Sequence, residues 1–136
     1  MSQNKQIIQA VILAGGMGTR ISTATINMPK PLIKIDNKPF IFYLIKQLDD
    51  ASIDQVLILS GYMSDEFDDF IKHFQNNFKC RIINIKSDPS LNTGARLISS
   101  LNFLESRFLL LYGDNYVPFN LKKYIKNYFY KSKDNF

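Results

Sequence analysis

The chain of 136 residues reads as an α/β protein built on a doubly wound, mainly parallel sheet with helices on both faces. Three observations point there. Four short apolar runs are bounded by turn residues, as strands are. Three of the four are apolar almost throughout, the pattern of parallel strands buried on both sides. Between them lie segments with the helical period, and strand and helix in alternation predict a layered sheet with right-handed crossovers.

In chain order, Ile7–Leu13 (IIQAVIL) is the first expected strand. Pro39 is suited to open a helix over Phe40–Leu48, with Phe40, Tyr43, Leu44 and Leu48 on one face. Gln55–Ser60 (QVLILS) is the second strand. Ser64 has the character of an N-cap, and Asp65 and Glu66 sit in the first turn, where the helix dipole favours carboxylates. Phe67, Phe70, Ile71 and Phe74 then form one stripe, with His73 beside it as a surface or partly packed residue. Arg81–Lys86 (RIINIK) is the third strand, after Cys80, read as a half-buried strand residue. Thr93 is placed as the cap of a third helix, with Leu97, Leu101 and Leu104 inward. Phe108–Tyr112 (FLLLY) is the fourth strand. Leu121, Tyr124, Ile125, Tyr128 and Phe129 share one helical stripe opposite lysines, so this last helix needs a surface to cover. A Rossmann-like sheet usually has five or six strands, so the fold reads as truncated.

Composition narrows the class. Hydrophobic residues make up 46% and charged residues 21%, the balance of a globular chain. No apolar run approaches the ~18 residues of a membrane span, and the polar start MSQNKQ is unlike a signal peptide. A single cysteine forms no internal disulfide and suits a reducing, cytoplasmic setting. The net charge of +5 is concentrated beyond Leu121, where five lysines face one Asp134. A solvated helix face therefore explains the charge better than a nucleic-acid surface.

The segment LAGGMGTRISTATINMPKPL (Leu13 to Leu32) holds three of the chain's 6 glycines. It leaves the C-terminal end of the first strand, the edge where α/β sheets bind ligands. Glycines there let backbone N–H groups approach a phosphate closely. A plain turn accounts for one glycine or two, not for Gly15, Gly16 and Gly18 followed by Thr19 and Arg20. The dinucleotide fingerprint fails because Ile21 stands at its third glycine position, which disfavours a dinucleotide-dependent dehydrogenase. The Walker A pattern fails for want of Gly-Lys-Ser/Thr.

What remains, Leu13-Ala14-Gly15-Gly16-Met17-Gly18-Thr19-Arg20 followed by Pro29-Lys30-Pro31-Leu32, resembles the sugar-phosphate nucleotidylyltransferase family. SDPSLNTGARL, Ser87 to Leu97, is similar to that family's Pro-Leu-Gly-Thr-Ala-Gly segment, with Asn92 in place of a common glycine and an unusual Arg96. FLLLYGDNYV, Phe108 to Val117, resembles its strand ending in a metal-holding aspartate, here Asp114. In the doubly wound order 3-2-1-4 the first and fourth strands are neighbours, so the glycine loop and Asp114 emerge side by side.

The resemblance implies transfer of a nucleotidyl group from a nucleoside triphosphate to a sugar 1-phosphate, with release of pyrophosphate. It implies nucleotide binding by Leu13, Ala14, Gly15, Gly16, Gly18, Thr19, Arg20, Thr93 and Gly94, catalysis by Arg20 and Lys30, and Mg²⁺ held by Asp114. Arg20 would grip pyrophosphate with its bidentate fork; Lys30 would serve the α-phosphate and the incoming sugar phosphate. Residues 1–136 are read as the nucleotide-binding N-terminal portion of such a domain, without a second domain. The alternative is a nucleotide-binding remnant without turnover. Expected partners are the two substrates, neither nucleic acid nor membrane, and either a second copy or a downstream polypeptide covering the last helix.

Overall fold

The computed structural model describes residues 7–16, 27–116, 118 and 120–133. Strand β1 (Gln9–Ala14) leads to a 3₁₀ turn at Lys30–Leu32 and a small hairpin, β2 (Lys34–Ile35) and β3 (Lys38–Pro39). Helix α1 (Phe40–Asp50), strand β4 (Gln55–Ser60), helix α2 (Ser64–Phe74) and strand β5 (Arg81–Lys86) follow. Helix α3 (Thr93–Ser99), strand β6 (Leu109–Tyr112) and helix α4 (Leu121–Lys133) complete it.

The main sheet has the order β5-β4-β1-β6, the doubly wound order expected, and every pairing in it is parallel. β1 pairs with β4 from Gln9↔Gln55 to Ala14↔Ser60 and with β6 from Ala10↔Leu109 to Leu13↔Tyr112. The alternation of side chains along a strand divides the core in two. Ala10, Ile12, Ala14, Val56, Ile58 and Ile82 share a cluster with residues of α1, α2 and α4. Val11, Leu13, Leu57 and Leu59 meet Leu97 of α3, with Leu104 and Phe108. Both faces are thus covered at β1 and β4. The apolar run of edge strand β6 predicts burial on both sides, yet Leu110 and Tyr112 are exposed, because no described element packs over them.

The strand runs of the sequence lie where expected, with local shifts. β1 starts at Gln9 rather than Ile7, because the Ile8 carbonyl accepts from Asp54 and Gln55 N–H at the turn into β4. Gln9 interrupts the apolar run yet is fully buried. Its amide donates to Gln55 Oε1 (2.7 Å) and Phe103 O (2.9 Å) and accepts from Glu105 N–H (2.8 Å), so burial leaves no polar atom unpaired. The β2–β3 hairpin has strands of only two residues, too short for a sequence pattern; Asp36 and Asn37 make its turn at φ of 50° and 68°, a conformation these two residue types tolerate.

Caps differ too. Ser64 does not cap α2: its hydroxyl donates back to Gly61 O (2.7 Å), and left-handed Met63 (φ 50°) stands at the N-cap. The cap of α3 is Asn92, not Thr93, with Oδ1 accepting from Ala95 N–H at 2.8 Å. Asn92→Ala is expected to destabilise the protein by about 1 kcal/mol in urea denaturation; no change would show that the loop holds the helix start by itself.

Packing faces shift likewise. α1 buries Ile41, Phe42, Leu44, Ile45 and Leu48, while Phe40 and Tyr43 are only half-buried. Leu101 is exposed rather than inward, since α3 ends at Ser99 and a 3₁₀ turn (Leu101–Phe103) changes the phase. In α4, Leu121 and Ile125 dock on the core, whereas Tyr124 and Tyr128 face outward; the Phe129 side chain is outside the described residues. Cys80 is almost wholly buried in the turn before β5, not half-buried within the strand. Burial pushes its thiol up to about 12, so it stays a neutral packing residue. Among the described residues, no helix is long and apolar enough to cross a membrane.

Candidate active site

Lys30 is presented by a short, firmly anchored segment. Pro29, Pro31 and Leu32 are buried on either side of it while Lys30 is exposed. The prolines fix φ on both sides, and the Leu32 N–H closes the turn onto Pro29 O (2.9 Å). The ammonium therefore projects from a rigid base.

Asp114 reaches the same place from β6. The Gly113 N–H donates to Leu13 O (2.9 Å), carrying the β1–β6 pairing one residue past the strand. A Cβ on Gly113 would lie 2.9 Å from Pro31 Cγ and 3.0 Å from Leu13 O. Glycine is thus what lets the end of β6 sit against both β1 and the lysine-bearing turn. The result is Lys30 Nζ at 3.4 Å from Asp114 Oδ2, with side chains 48% and 42% exposed. Exposed pairs of this kind contribute about 0–1 kcal/mol, so fold stability does not account for bringing them together. Both groups remain open to a ligand.

Leu13, Ala14 and Gly15 are buried at the end of β1, and Gly16 emerges to the surface with open space above its Cα. Gly18, Thr19 and Arg20 lie outside the described residues. Thr93 and Gly94 are exposed at the start of α3, and that helix is tied to β1 through Arg96. The sequence marked Arg96 only as unusual. In the structure its guanidinium fills the space above Gly15, where any Cβ would collide with it, and lies 2.5 Å (Nη2) from the Cβ position of Gly61. Gly61 directly follows β4; a glycine at the end of a second parallel strand was the signal available in the sequence. Arg96 Nε donates to Ser87 Oγ (2.8 Å) and Nη2 to Asp88 O (3.3 Å). Burial pulls the guanidinium below arginine's ordinary range, opposed by the charge of Asp88. The Asp88 carboxyl is held low chiefly because it accepts from Ser90 Oγ (2.7 Å) and Ser90 N–H (2.8 Å).

Among the described residues no three His, Cys, Asp or Glu side chains converge as a metal cluster. Asp114 is a single half-exposed carboxylate. That donor set fits Mg²⁺, which usually takes one or two carboxylates and completes its shell with water and substrate phosphates.

A parallel sheet thus brings a glycine segment, a lysine and an aspartate to one C-terminal edge, and the chain belongs to the Nucleotidyl transferase family, matched over residues 9–135. It is 29% identical over 116 residues to the D-glycero-alpha-D-manno-heptose 1-phosphate guanylyltransferase of Campylobacter jejuni subsp. jejuni serotype O:2, covering 85% of this chain and 52% of that protein. It is 31% identical over 118 residues to the protein of the same name from Aneurinibacillus thermoaerophilus, covering 85% and 50%. Among solved structures it is similar to HddC from Yersinia pseudotuberculosis complexed with GMP-PN, at a TM-score of 0.77 and 29% identity, over 89% of this chain and 54% of that one. The chain thus spans about half the length of the relatives it matches.

Proposed function

We propose that the protein carrying this chain transfers a nucleotidyl group from a nucleoside triphosphate to a sugar 1-phosphate. The observation that carries the reading is the meeting of Lys30 and Asp114 at 3.4 Å beside the end of β1, where the glycine segment leaves the sheet. A phosphate oxygen of the sugar attacks the α-phosphorus in line; the new P–O bond forms as the α–β anhydride breaks, and pyrophosphate departs with the electron pair. Lys30 holds the α-phosphate and the incoming sugar phosphate, placing two anions in reach of one another. Arg20 grips the pyrophosphate, and Leu13, Ala14, Gly15, Gly16, Gly18 and Thr19 with Thr93 and Gly94 seat the nucleotide. Asp114 would hold Mg²⁺, which when bound neutralises phosphate charge. No protein nucleophile takes part, in keeping with the buried, neutral Cys80.

The names of the two heptose 1-phosphate guanylyltransferases make GTP with a heptose 1-phosphate the substrate pair to assay first. The test of the site is Asp114→Asn in nucleotide titrations with and without Mg²⁺. The Mg²⁺-dependent part of GTP binding should fall on the order of tenfold or more, while binding without metal changes little. Equal metal dependence in variant and wild type would remove Asp114 as the ligand.

A further inference from the structure

Arg96 is 4% exposed on α3, and its guanidinium touches the segments that leave three neighbouring parallel strands. It lies against Gly15 after β1 and against Gly61 after β4. Nε donates to Ser87 Oγ (2.8 Å) and Nη2 to Asp88 O (3.3 Å), the two residues that follow β5. Ser87 carries the link onward, since its hydroxyl and its N–H both donate to Ser60 O, at 2.9 and 3.1 Å. Burying a guanidinium on two neutral oxygens is costly, and a leucine or methionine would fill space without that cost. What arginine adds is reach with a flat, rigid fork, able to lie on two glycines while bonding to a third strand end.

What this brace holds is the first residue of the glycine segment. Gly15 is where the segment leaves the sheet, and Gly16 beyond it is exposed with open space above its Cα. On the β6 side, the end of β1 is fixed by the Gly113 N–H on Leu13 O (2.9 Å). On the β4 side it is Arg96 that packs on Gly15: the atoms nearest a Cβ built there are its Cζ, Nη1 and Nε. At Gly61 they are again Arg96 atoms, Nη2, Cζ and Nε. Glycine has more backbone freedom to lose than any other residue. A guanidinium pressed on Gly15 removes that freedom before a ligand arrives, so that binding does not have to supply the ordering itself.

We propose that Arg96 is a positioning residue: it holds Gly15, and through it the glycine segment, in the orientation whose backbone N–H groups receive the triphosphate. This rests on the nucleotidyl-transfer reading above. The test is titration of wild-type protein, Arg96→Ala and Arg96→Lys, well below their melting temperatures, with GTP and with inorganic tripolyphosphate, each with Mg²⁺. Arg96→Ala should lose roughly tenfold or more in affinity, the scale on which residues supporting a site from behind act. The factor should be the same for both ligands, because the effect runs through the phosphate-binding backbone. Arg96→Lys keeps length and charge but lacks the fork, so it should show part of the loss, and it reports even where Arg96→Ala fails to fold. In the ligand-free variants the Gly15 and Gly16 amide resonances should move from their wild-type positions. Gly61→Ala, whose Cβ would lie 2.5 Å from Nη2, should weaken both ligands too, yet add little in an Arg96→Ala background. Unchanged affinity in every folded Arg96 variant, unmoved glycine amides, a loss confined to GTP, a wild type that takes GTP but not tripolyphosphate, or strictly additive Arg96 and Gly61 effects would overturn the proposal. Each of these leaves the nucleotidyl-transfer reading intact. Failure of the wild type to bind GTP would remove both.

Discussion

Lys30→Ala is expected to lower the rate of nucleotide-sugar formation by about 10²–10³-fold, the range for loss of one positioned group that stabilises transition-state charge. Triphosphate affinity should change far less. The asymmetry follows from position: Lys30 stands on a proline-anchored turn at the mouth of the site, suited to two phosphates drawn together during reaction. Fold stability should hardly move, because the Lys30–Asp114 pair is a half-exposed contact at 3.4 Å. Pyrophosphate release with GTP and heptose 1-phosphate, alongside direct GTP titration, separates the two effects. A drop in affinity as large as the drop in rate would assign Lys30 to ground-state binding.

The largest effect on stability is expected at Phe67, the largest of the fully buried side chains, at 0% exposure on α2. It belongs to the cluster that joins α1, α2 and the sheet. Removing a buried phenyl ring leaves both lost transfer energy and a cavity, together about 3–5 kcal/mol. Whole domains are stable by only ~5–15 kcal/mol, so Phe67→Ala should lower the melting temperature by roughly 10–20 °C. Phe67→Leu should lose much less, because it keeps most of the volume. α2 also touches the Lys30–Leu32 turn, so the alanine variant should lose turnover below its melting point. A shift of only a degree or two would mean that the aromatic neighbours Phe70 and Phe74 close the gap.

Strand positions were legible because a central parallel strand buried on both faces needs a nearly unbroken apolar run, as QVLILS of β4 has. The more polar RIINIK of edge strand β5 was bounded by its turn residues; both have the expected bounds. Strand order followed the doubly wound pattern 3-2-1-4, and with it came the nearness of β1 to Asp114. What sequence patterns could not show were contacts made by side chains reaching across elements. Gln9 reads as a flaw in an apolar strand until Gln55, Phe103 and Glu105 are seen around its amide. Ser64 and Thr93 are both good capping residue types, so type alone could not tell that one hydroxyl turns back to Gly61 and the other yields to Asn92. Arg96 was legible as an oddity, but its burial depends on two glycines far apart in the chain. The sequence of α4 shows a stripe, yet only packing decides that Leu121 and Ile125 lie inward and Tyr124 outward.

The strand order has a consequence for biosynthesis. β1 lies between β4 and β6, and the Gln9–Glu105 hydrogen bond that ties it to the approach to β6 spans 96 residues. At ribosomal rates that stretch takes about 5–20 s to emerge. Through that interval the β6-facing edge of β1, with Val11, Ile12 and Leu13 along it, has no native partner. An unpaired apolar strand edge is a template for pairing with other chains. The nascent protein thus carries a transient hazard of misassembly at the strand that later delivers the glycine segment to the site. Protection by a ribosome-associated holdase would matter most in those seconds, before Leu109–Tyr112 closes the edge.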